Sequence, residues 1–168
     1  MTSAKQAGMV QNCLCASKDR RPNVLTSDAN NQLASLDREL IEQRVRALWE
    51  LRSRGEVTSL ASLLAHDCVY SGKTWFEKPV DVRRDGRDAC LEWAHQLNAM
   101  VQHVETEILY LIIEGEQVAA CRRMRFRERG CGRIEEVIIC SYTRFRGGEI
   151  VEIVEYPDTL AVKRLLAN

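Results

Sequence analysis

Residues 146–158 read Arg-Gly-Gly-Glu-Ile-Val-Glu-Ile-Val-Glu-Tyr-Pro-Asp, a glycine pair followed by apolar residues interspersed with acidic ones. A Gly-Gly pair is typical of a tight turn between antiparallel strands, and this pattern is typical of a strand with one buried face. The pattern stops at Pro157, which cannot donate to a sheet ladder. The segment is therefore predicted to be the second arm of a hairpin, with the carboxylate of Glu155 near its end.

Residues 104–146, which precede this segment, are predicted to form the rest of an antiparallel meander. Three runs rich in Val, Ile, Tyr and Phe cover residues 104–114, 117–129 and 133–146, and glycines separate them. The last strand covers residues 149–156. Asp158 then stands where it can cap a short closing helix.

Helical patterns occupy the first half of the chain. A broad apolar stripe begins at Leu33 and ends before Gly55, and a shorter helix is predicted around Leu60 to Leu64. A third stripe follows Gly86. Residues 73–87, which carry Trp75 and Phe76, are predicted to form a loop folded over something apolar.

Composition limits the classes of function. The 168 residues, 45% of them hydrophobic, fit one domain, and the sequence predicts a flexible extension at residues 1–32 followed by a single domain at residues 33–168. Lys plus Arg and Asp plus Glu both total 24, so no overall charge steers the chain toward nucleic acid or a membrane. No apolar run is long enough to span a bilayer, and a cytoplasmic location is expected.

Metal and disulfide patterns are weak. The seven cysteines are odd in number and lack paired Cys-x-x-Cys spacing, and the three histidines have no metal-ligand spacing. Reduced structural thiols are therefore expected, and neither a metal nor another cofactor is predicted.

The turns also predict which side chains share a face of the sheet. A two-residue turn at Gly147-Gly148 places Cys140 opposite Glu155, and a loop at Gly130-Cys-Gly132 places Arg122 opposite Cys140. These registers predict a row of Arg122, Cys140 and Glu155 on the core face. Val137 and Ile139 are then expected on the outer face.

Two interpretations of this charged row stay open. A guanidinium and an apolar wall can tune a carboxylate for work as a general acid or base. The same groups can instead form a buried ion pair with no chemistry.

The order of elements, together with Gly148-Glu-Ile150 through Glu155-Tyr156-Pro-Asp158, resembles the nuclear-transport-factor-2-like superfamily, and its SnoaL-like and ketosteroid-isomerase-like branch in particular. The resemblance covers about residues 36–166. It implies an α+β fold in which a strongly curved antiparallel sheet wraps around a long N-terminal helix and leaves a cone-shaped cavity. It also implies frequent dimerisation through the convex sheet face.

The resemblance implies a pocket carboxylate at Glu155, immediately before the terminal Tyr. We expect Glu155 to move a proton, Arg122 to fix its charge or bind a developing oxyanion, and Tyr142 or Tyr70 to donate a hydrogen bond. The other residues expected around a ligand are Trp49, Tyr70, Trp75, Phe76, Trp93, His103, Met124, Cys140 and Ile153. Ordinary core packing is the alternative for Trp49, Tyr70 and Trp93.

Two functions are compatible with these features. The first is a cofactor-free isomerase, cyclase, dehydratase or hydrolase acting on a small, largely apolar molecule. The second is a non-catalytic ligand-binding or dimeric interaction module of the same fold. The size of the cavity separates them, because a filled cone favours an interaction module and an open pocket reached by Glu155 favours an enzyme or a ligand binder.

Overall fold

The computed structural model describes residues 27–75 and 79–167, so residues 1–26 of the extension predicted at residues 1–32 lie outside the described residues. The described residues form three α-helices and six strands, and a 3₁₀ helix at Val57–Ser62 connects the first α-helix to the first strand. The helices are α1 (Ser27–Arg54), α2 (Arg87–Met100) and α3 (Thr159–Leu166). The strands are β1 (Leu64–Trp75), β2 (Pro79–Asp85), β3 (Val101–Glu114), β4 (Gln117–Glu128), β5 (Ile134–Arg146) and β6 (Glu149–Pro157).

Helix α1 supplies one wall of the main core. Its apolar residues recur at helical spacing, and Ile41, Val45, Leu48 and Trp49 are all buried. The helix begins at Ser27, six residues before the predicted start. It ends at Arg54, and the φ of 74° at the following Gly55 lies in the left-handed region that glycine adopts without strain.

The six strands form one curved sheet in the order β2-β1-β6-β5-β4-β3. Strand β1 pairs in parallel with β6, and the other neighbours pair antiparallel. The predicted α+β class and four-stranded meander are confirmed. Strand β6 lies near the middle of the sheet, so the segment at residues 149–157 has neighbours on both sides.

The predicted loop at residues 73–87 is wrong for most of its length. Strand β1 continues to Trp75, and β2 pairs with it from Pro79 to Asp85. Valines alternate with charged residues along β2, which is a pattern of an edge strand. Residues 76–78, including Phe76, lie outside the described residues, and so does the side chain of Trp75.

The β4–β5 loop is one residue longer than predicted. The backbone N–H of Glu128 donates to Arg133 O over 2.8 Å, which leaves four loop residues, 129–132. The Glu128 carboxylate accepts hydrogen bonds from the backbone N–H groups of Gly130 and Cys131, which stabilises this longer loop. Arg122 therefore lies opposite Ile139 and not opposite Cys140.

The β5–β6 hairpin contains a bulge. Its turn has two residues as predicted, with Arg146 opposite Glu149. Farther along, Arg144 pairs with Glu152, so Val151 has no partner on β5 and forms the bulge. Beyond the bulge, Glu155 lies opposite Ser141, and Cys140 lies opposite Tyr156.

Both shifts move β5 by one residue, so its two faces are exchanged relative to the prediction. Val137 and Ile139 are buried, which contradicts their predicted place on the outer face. Cys140 is exposed, and the hydroxyl of Tyr142 donates to Gln117 Oε1 on the outer side. The expected homodimer stays a prediction, but these two apolar residues are not available to it.

Helix α3 closes one end of the core. The Asp158 carboxylate accepts hydrogen bonds from the N–H groups of Leu160 and Ala161, which confirms the predicted cap. Ala161 and Leu165 pack against Met124 and Phe126 of β4 in a second apolar cluster. None of the described helices is long and apolar enough to cross a membrane.

Candidate functional site

Glu155 is a buried carboxylate in the middle of the sheet. Alternation along β6 turns Ile153 and Glu155 toward the core, and Glu155 is only 5% exposed. An ionised carboxylate at this depth is unstable unless donors surround it. The site is therefore defined by the groups that reach Glu155.

Three side chains donate to the two carboxylate oxygens. Oε1 accepts from Nη1 of Arg52 and Nη2 of Arg122, both over 2.8 Å. Oε2 accepts from the Tyr70 hydroxyl over 3.0 Å and from Nη2 of Arg52 over a longer 3.4 Å. Oε1 is thus held by two short charged contacts, and Oε2 is held more weakly.

Arg122 is the buried anchor of this cluster. It is 1% exposed, and its guanidinium carbon lies 4.7 Å from the centroid of the Trp49 ring. A cation over an indole face is stabilised electrostatically. The predicted Arg122–Glu155 contact is present, whereas Trp49 supports Arg122 from within the core and does not line the cavity.

Arg52 is a site residue that was not predicted from the sequence. It lies on α1 at the next helical position of the stripe formed by Ile41, Val45 and Leu48, where an apolar residue is expected. Its side chain is 16% exposed, and it lines the cavity. A charged residue inside an apolar stripe was the available signal.

Gly72 makes room for Tyr70. Parallel pairing of β1 with β6 places Gly72 directly beside Glu155. A Cβ at Gly72 would lie 3.2 Å from the Tyr70 hydroxyl oxygen, which is closer than most such contacts. The absence of a side chain at Gly72 therefore lets the hydroxyl approach the carboxylate.

The ionisation states follow from burial and charge. Burial raises the pKa of Glu155, but Arg52 and Arg122 overcome this effect and hold it at about 2. Burial raises the pKa of Tyr70, and the negative charge of Glu155 raises it further. Burial lowers the pKa of Arg122, although Glu155 opposes this shift. At neutral pH, the two arginines and Glu155 together carry one net positive charge.

A largely apolar cavity of about 240 Å³ opens beside this cluster. Of the residues predicted to surround a ligand, Tyr70, Trp93, His103 and Met124 line it together with Glu155. Helices α2 and α3 complete the walls with Ala94, Leu97, Val162 and Leu165. Among the described residues, the only charged side chains in the wall belong to Arg52 and Glu155.

The other predicted residues lie elsewhere. Ile153 packs in the main core, and Cys140 and Tyr142 lie on the outer face because β5 is shifted. Of the two tyrosines predicted to donate a hydrogen bond at the site, Tyr142 therefore lies away from it, and Tyr70 lies in the cavity wall and donates to Glu155.

His103 is a neutral imidazole in the cavity wall. Burial lowers its pKa to about 4, with a further contribution from Arg52. Its Nδ1 is buried and has no hydrogen-bond partner among the described residues, and its ring meets Phe126 edge-on at 4.6 Å. His103 therefore adds a buried polar atom to a largely apolar wall.

The described residues contain no group of three His, Cys, Asp or Glu side chains that could hold a metal ion. The chemistry available at the cavity from these residues is hydrogen bonding, charge stabilisation and proton transfer.

A protein-family model matches most of this chain. The model of the SnoaL-like domain matches residues 45–153, which is more than half of the chain. The match includes Arg52, Tyr70, Gly72 and Arg122 and ends two residues before Glu155. A search of curated proteins found no match.

Solved structures share the fold at low sequence identity. A putative isomerase from Bacillus subtilis is 16% identical with a TM-score of 0.68, and the match covers 77% of this chain and 94% of that one. An LEH-like epoxide hydrolase of M. tuberculosis is 18% identical with a TM-score of 0.63, covering 77% and 92%. An NTF2-like protein from Burkholderia xenovorans LB400 is 21% identical with a TM-score of 0.61, covering 76% and 95%.

Proposed function

Because this chain belongs to the SnoaL-like domain family of the NTF2-like superfamily, we propose that it is a cofactor-free acid–base enzyme. Its substrate would be a small, largely apolar molecule that carries an acceptor oxygen. The observation that carries this proposal is the apolar cavity of about 240 Å³ whose wall contains Arg52, Tyr70 and Glu155. The volume lies just below the usual range for drug-sized ligands, roughly 300–1,000 Å³, which favours a small substrate.

The polar groups favour an oxygen that gains negative charge. Two contacts with Glu155 use only part of the donor capacity of the Arg52 guanidinium, which has five N–H groups. Arg52 also stays partly exposed to the cavity, and the cluster is positive overall. A carbonyl or enolate oxygen beside Arg52 and Tyr70 would be stabilised as charge develops on it.

Proton transfer is assigned to Oε2 of Glu155. With a pKa of about 2 the carboxyl is ionised but weakly basic while all its donors are in place. A substrate oxygen could accept the hydrogen bonds that the Tyr70 hydroxyl and Nη2 of Arg52 now donate to Oε2. Oε2 would then lose these donors, and its basicity would rise. Arg122 would keep Oε1 fixed and act as a positioning residue.

The neighbours of similar fold support this reaction class at the level of family. One of them is described as a putative isomerase and another as an LEH-like epoxide hydrolase. Isomerisation, cyclisation, dehydration and hydrolysis all fit a site that combines one carboxylate with donors for an oxygen.

The second candidate is ligand binding without turnover. The observation that favours it is the saturation of Glu155, whose two oxygens already accept four hydrogen bonds. In this case the cluster would hold an acceptor oxygen, and Glu155 would serve only to balance charge.

A metabolite extract incubated with the protein and followed by mass spectrometry separates the two candidates. The enzyme should consume at least one compound, Glu155→Gln should abolish this consumption, and Glu152→Gln on the opposite face of β6 should retain it. Consumption that is equal in Glu155→Gln and the native protein would contradict the catalytic assignment. A compound that is retained but never converted would support ligand binding.

A further inference from the structure

Two cysteines face each other on the outer side of the sheet, away from the cavity. Cys121 of β4 and Cys140 of β5 are register partners, and their sulfur atoms are 3.6 Å apart. Both are free thiols. Directly opposed residues in antiparallel strands have Cα atoms about 4.5–5.5 Å apart, within the range that a disulfide spans. The backbone pairing is thus compatible with a bond between them.

The pair is open to solvent on one side. Cys140 is exposed, and Cys121 is half-buried. Register places Tyr110 beside Cys121 and Tyr156 beside Cys140, so the two thiols lie between two exposed aromatic side chains. A small reagent can approach Cys140 first.

We propose that Cys121 and Cys140 form a thiol–disulfide exchange site that reacts with low-molecular-weight disulfides and closes into a reversible cross-strand disulfide. The site is separate from the cavity and does not depend on the proposed enzyme function. Its reactive unit is the pair, because either thiol alone can only form a mixed disulfide.

The reaction balances in two exchange steps. The Cys140 thiolate attacks one sulfur of a disulfide R–S–S–R, forms a mixed disulfide and releases the first thiolate. The Cys121 thiolate then attacks the sulfur of Cys140, closes the Cys121–Cys140 bond and releases the second. The two protein thiols lose two electrons and two protons, and the small disulfide is reduced to two thiols.

The surroundings of the two sulfurs fit this order. Burial raises the pKa of the Cys121 thiol, and the hydrogen bond with Cys140 raises it further. A thiol that is half-buried and less readily ionised is a poor first nucleophile. It can still attack a mixed disulfide formed 3.6 Å away, because the reacting atoms are already adjacent.

The test treats the folded native protein with glutathione disulfide, alkylates the remaining thiols and maps the peptides by mass spectrometry. A Cys121–Cys140 cross-link and protection of both thiols from alkylation are expected, and dithiothreitol should reverse both changes. Cys121→Ser should instead accumulate one glutathione on Cys140. Cys140→Ser should form no cross-link, and circular dichroism checks that both variants stay folded.

Cys131 supplies the matched control, because it is an exposed thiol in the adjoining β4–β5 loop. Cys131→Ser should retain the Cys121–Cys140 cross-link. The proposal is overturned if Cys121 and Cys140 are both recovered alkylated while Cys131 reacts with glutathione. It is also overturned if the native protein keeps a mixed disulfide on Cys140 and a free thiol at Cys121.

Discussion

Arg122 and Glu155 form a diagonal ion pair across β5. Glu155 lies opposite Ser141, whereas Arg122 lies opposite Ile139, two residues away along the same strand. The guanidinium nevertheless reaches the carboxylate, and Nη2 lies 2.8 Å from Oε1. Because Arg52 reaches the same oxygen from α1, Glu155 joins the helix to two strands of the sheet.

Neutralising Glu155 should destabilise the protein strongly. Glu155→Gln leaves Arg52 and Arg122 buried without their counter-charge, and loss of one partner of a buried pair typically costs about 3–5 kcal/mol. We expect a loss of this size in the free energy of unfolding, measured by urea denaturation at pH 7. Glu152→Gln is the control, because Glu152 pairs with Arg144 at the surface, and it should change the free energy by less than about 1 kcal/mol. Equal effects of the two variants would contradict the central position of Glu155.

A methyl group at Gly72 should displace the Tyr70 hydroxyl. The added Cβ would lie 3.2 Å from the hydroxyl oxygen, and overpacking of this kind typically costs about 1–3 kcal/mol. Tyr70→Phe lacks the hydroxyl that the new Cβ would contact. Gly72→Ala should therefore reduce the free energy of unfolding by less in Tyr70→Phe than in the native protein. A double-mutant cycle based on urea denaturation measures the coupling. Strictly additive effects would show that the two residues do not interact in this way.

His103 should make the protein sensitive to mild acid. Its pKa in the folded state is about 4, compared with 6.5 for the ordinary side chain, so the unfolded chain binds a proton between these values and the folded chain does not. Stability from this residue is complete above about pH 6.5 and is lost as the pH falls toward 4.

The loss between pH 7 and pH 5 should be about 2 kcal/mol in the native protein and should disappear in His103→Leu. The matched control is His95→Leu, since His95 is an exposed residue of α2, and it should keep the native dependence. An unchanged pH dependence in His103→Leu would refute the assignment. Glu155 does not contribute to the loss between pH 7 and pH 5, because the stability that its depressed pKa provides is lost only below about pH 4.5.

Arg52 should control the affinity for a ligand oxygen. A hydrogen bond to a charged group contributes about 1.5–3 kcal/mol, so Arg52→Met should weaken binding of an oxygen-bearing ligand by about tenfold to a hundredfold. Arg54→Met is the control, because Arg54 pairs with Glu50 on the exposed side of α1. Isothermal titration with a ligand recovered from the protein measures the affinities of the two variants. Similar affinities of the two variants would exclude Arg52 from the binding site.

The α+β fold and the location of the carboxylate were predictable because they depend on alternation within single strands. The shared core face of Arg122 and Glu155 was predicted from two hairpin registers that are each wrong by one residue. The two shifts cancel, because Arg122 lies opposite Ile139 and Glu155 opposite Ser141, which lie on the same face of β5. The cap at Asp158 was equally local, since it depends on a side chain two and three residues from its donors.

The two faces of β5 were predicted wrongly because the register of this strand depends on two irregularities. Val151 adds a bulge to one hairpin, and the Glu128 carboxylate stabilises a four-residue loop in the other. Both shifts act on β5, so Tyr142 and Cys140 moved to the outer face. Arg52 was missed for another reason: its partner lies 103 residues away, and the helix pattern alone predicts only that the position faces the core.

The most direct test of the proposed ligand site compares small molecules bound to the native protein and to Ala94→Phe. Ala94 lines the cavity from α2, and a phenyl ring there should fill much of the space of about 240 Å³. Both proteins are incubated with the same metabolite extract, desalted and denatured, and the released compounds are measured by mass spectrometry. We expect at least one small, largely apolar compound with an acceptor oxygen that the native protein retains and the folded Ala94→Phe variant does not. Identical compounds in identical amounts from the two proteins would contradict this expectation.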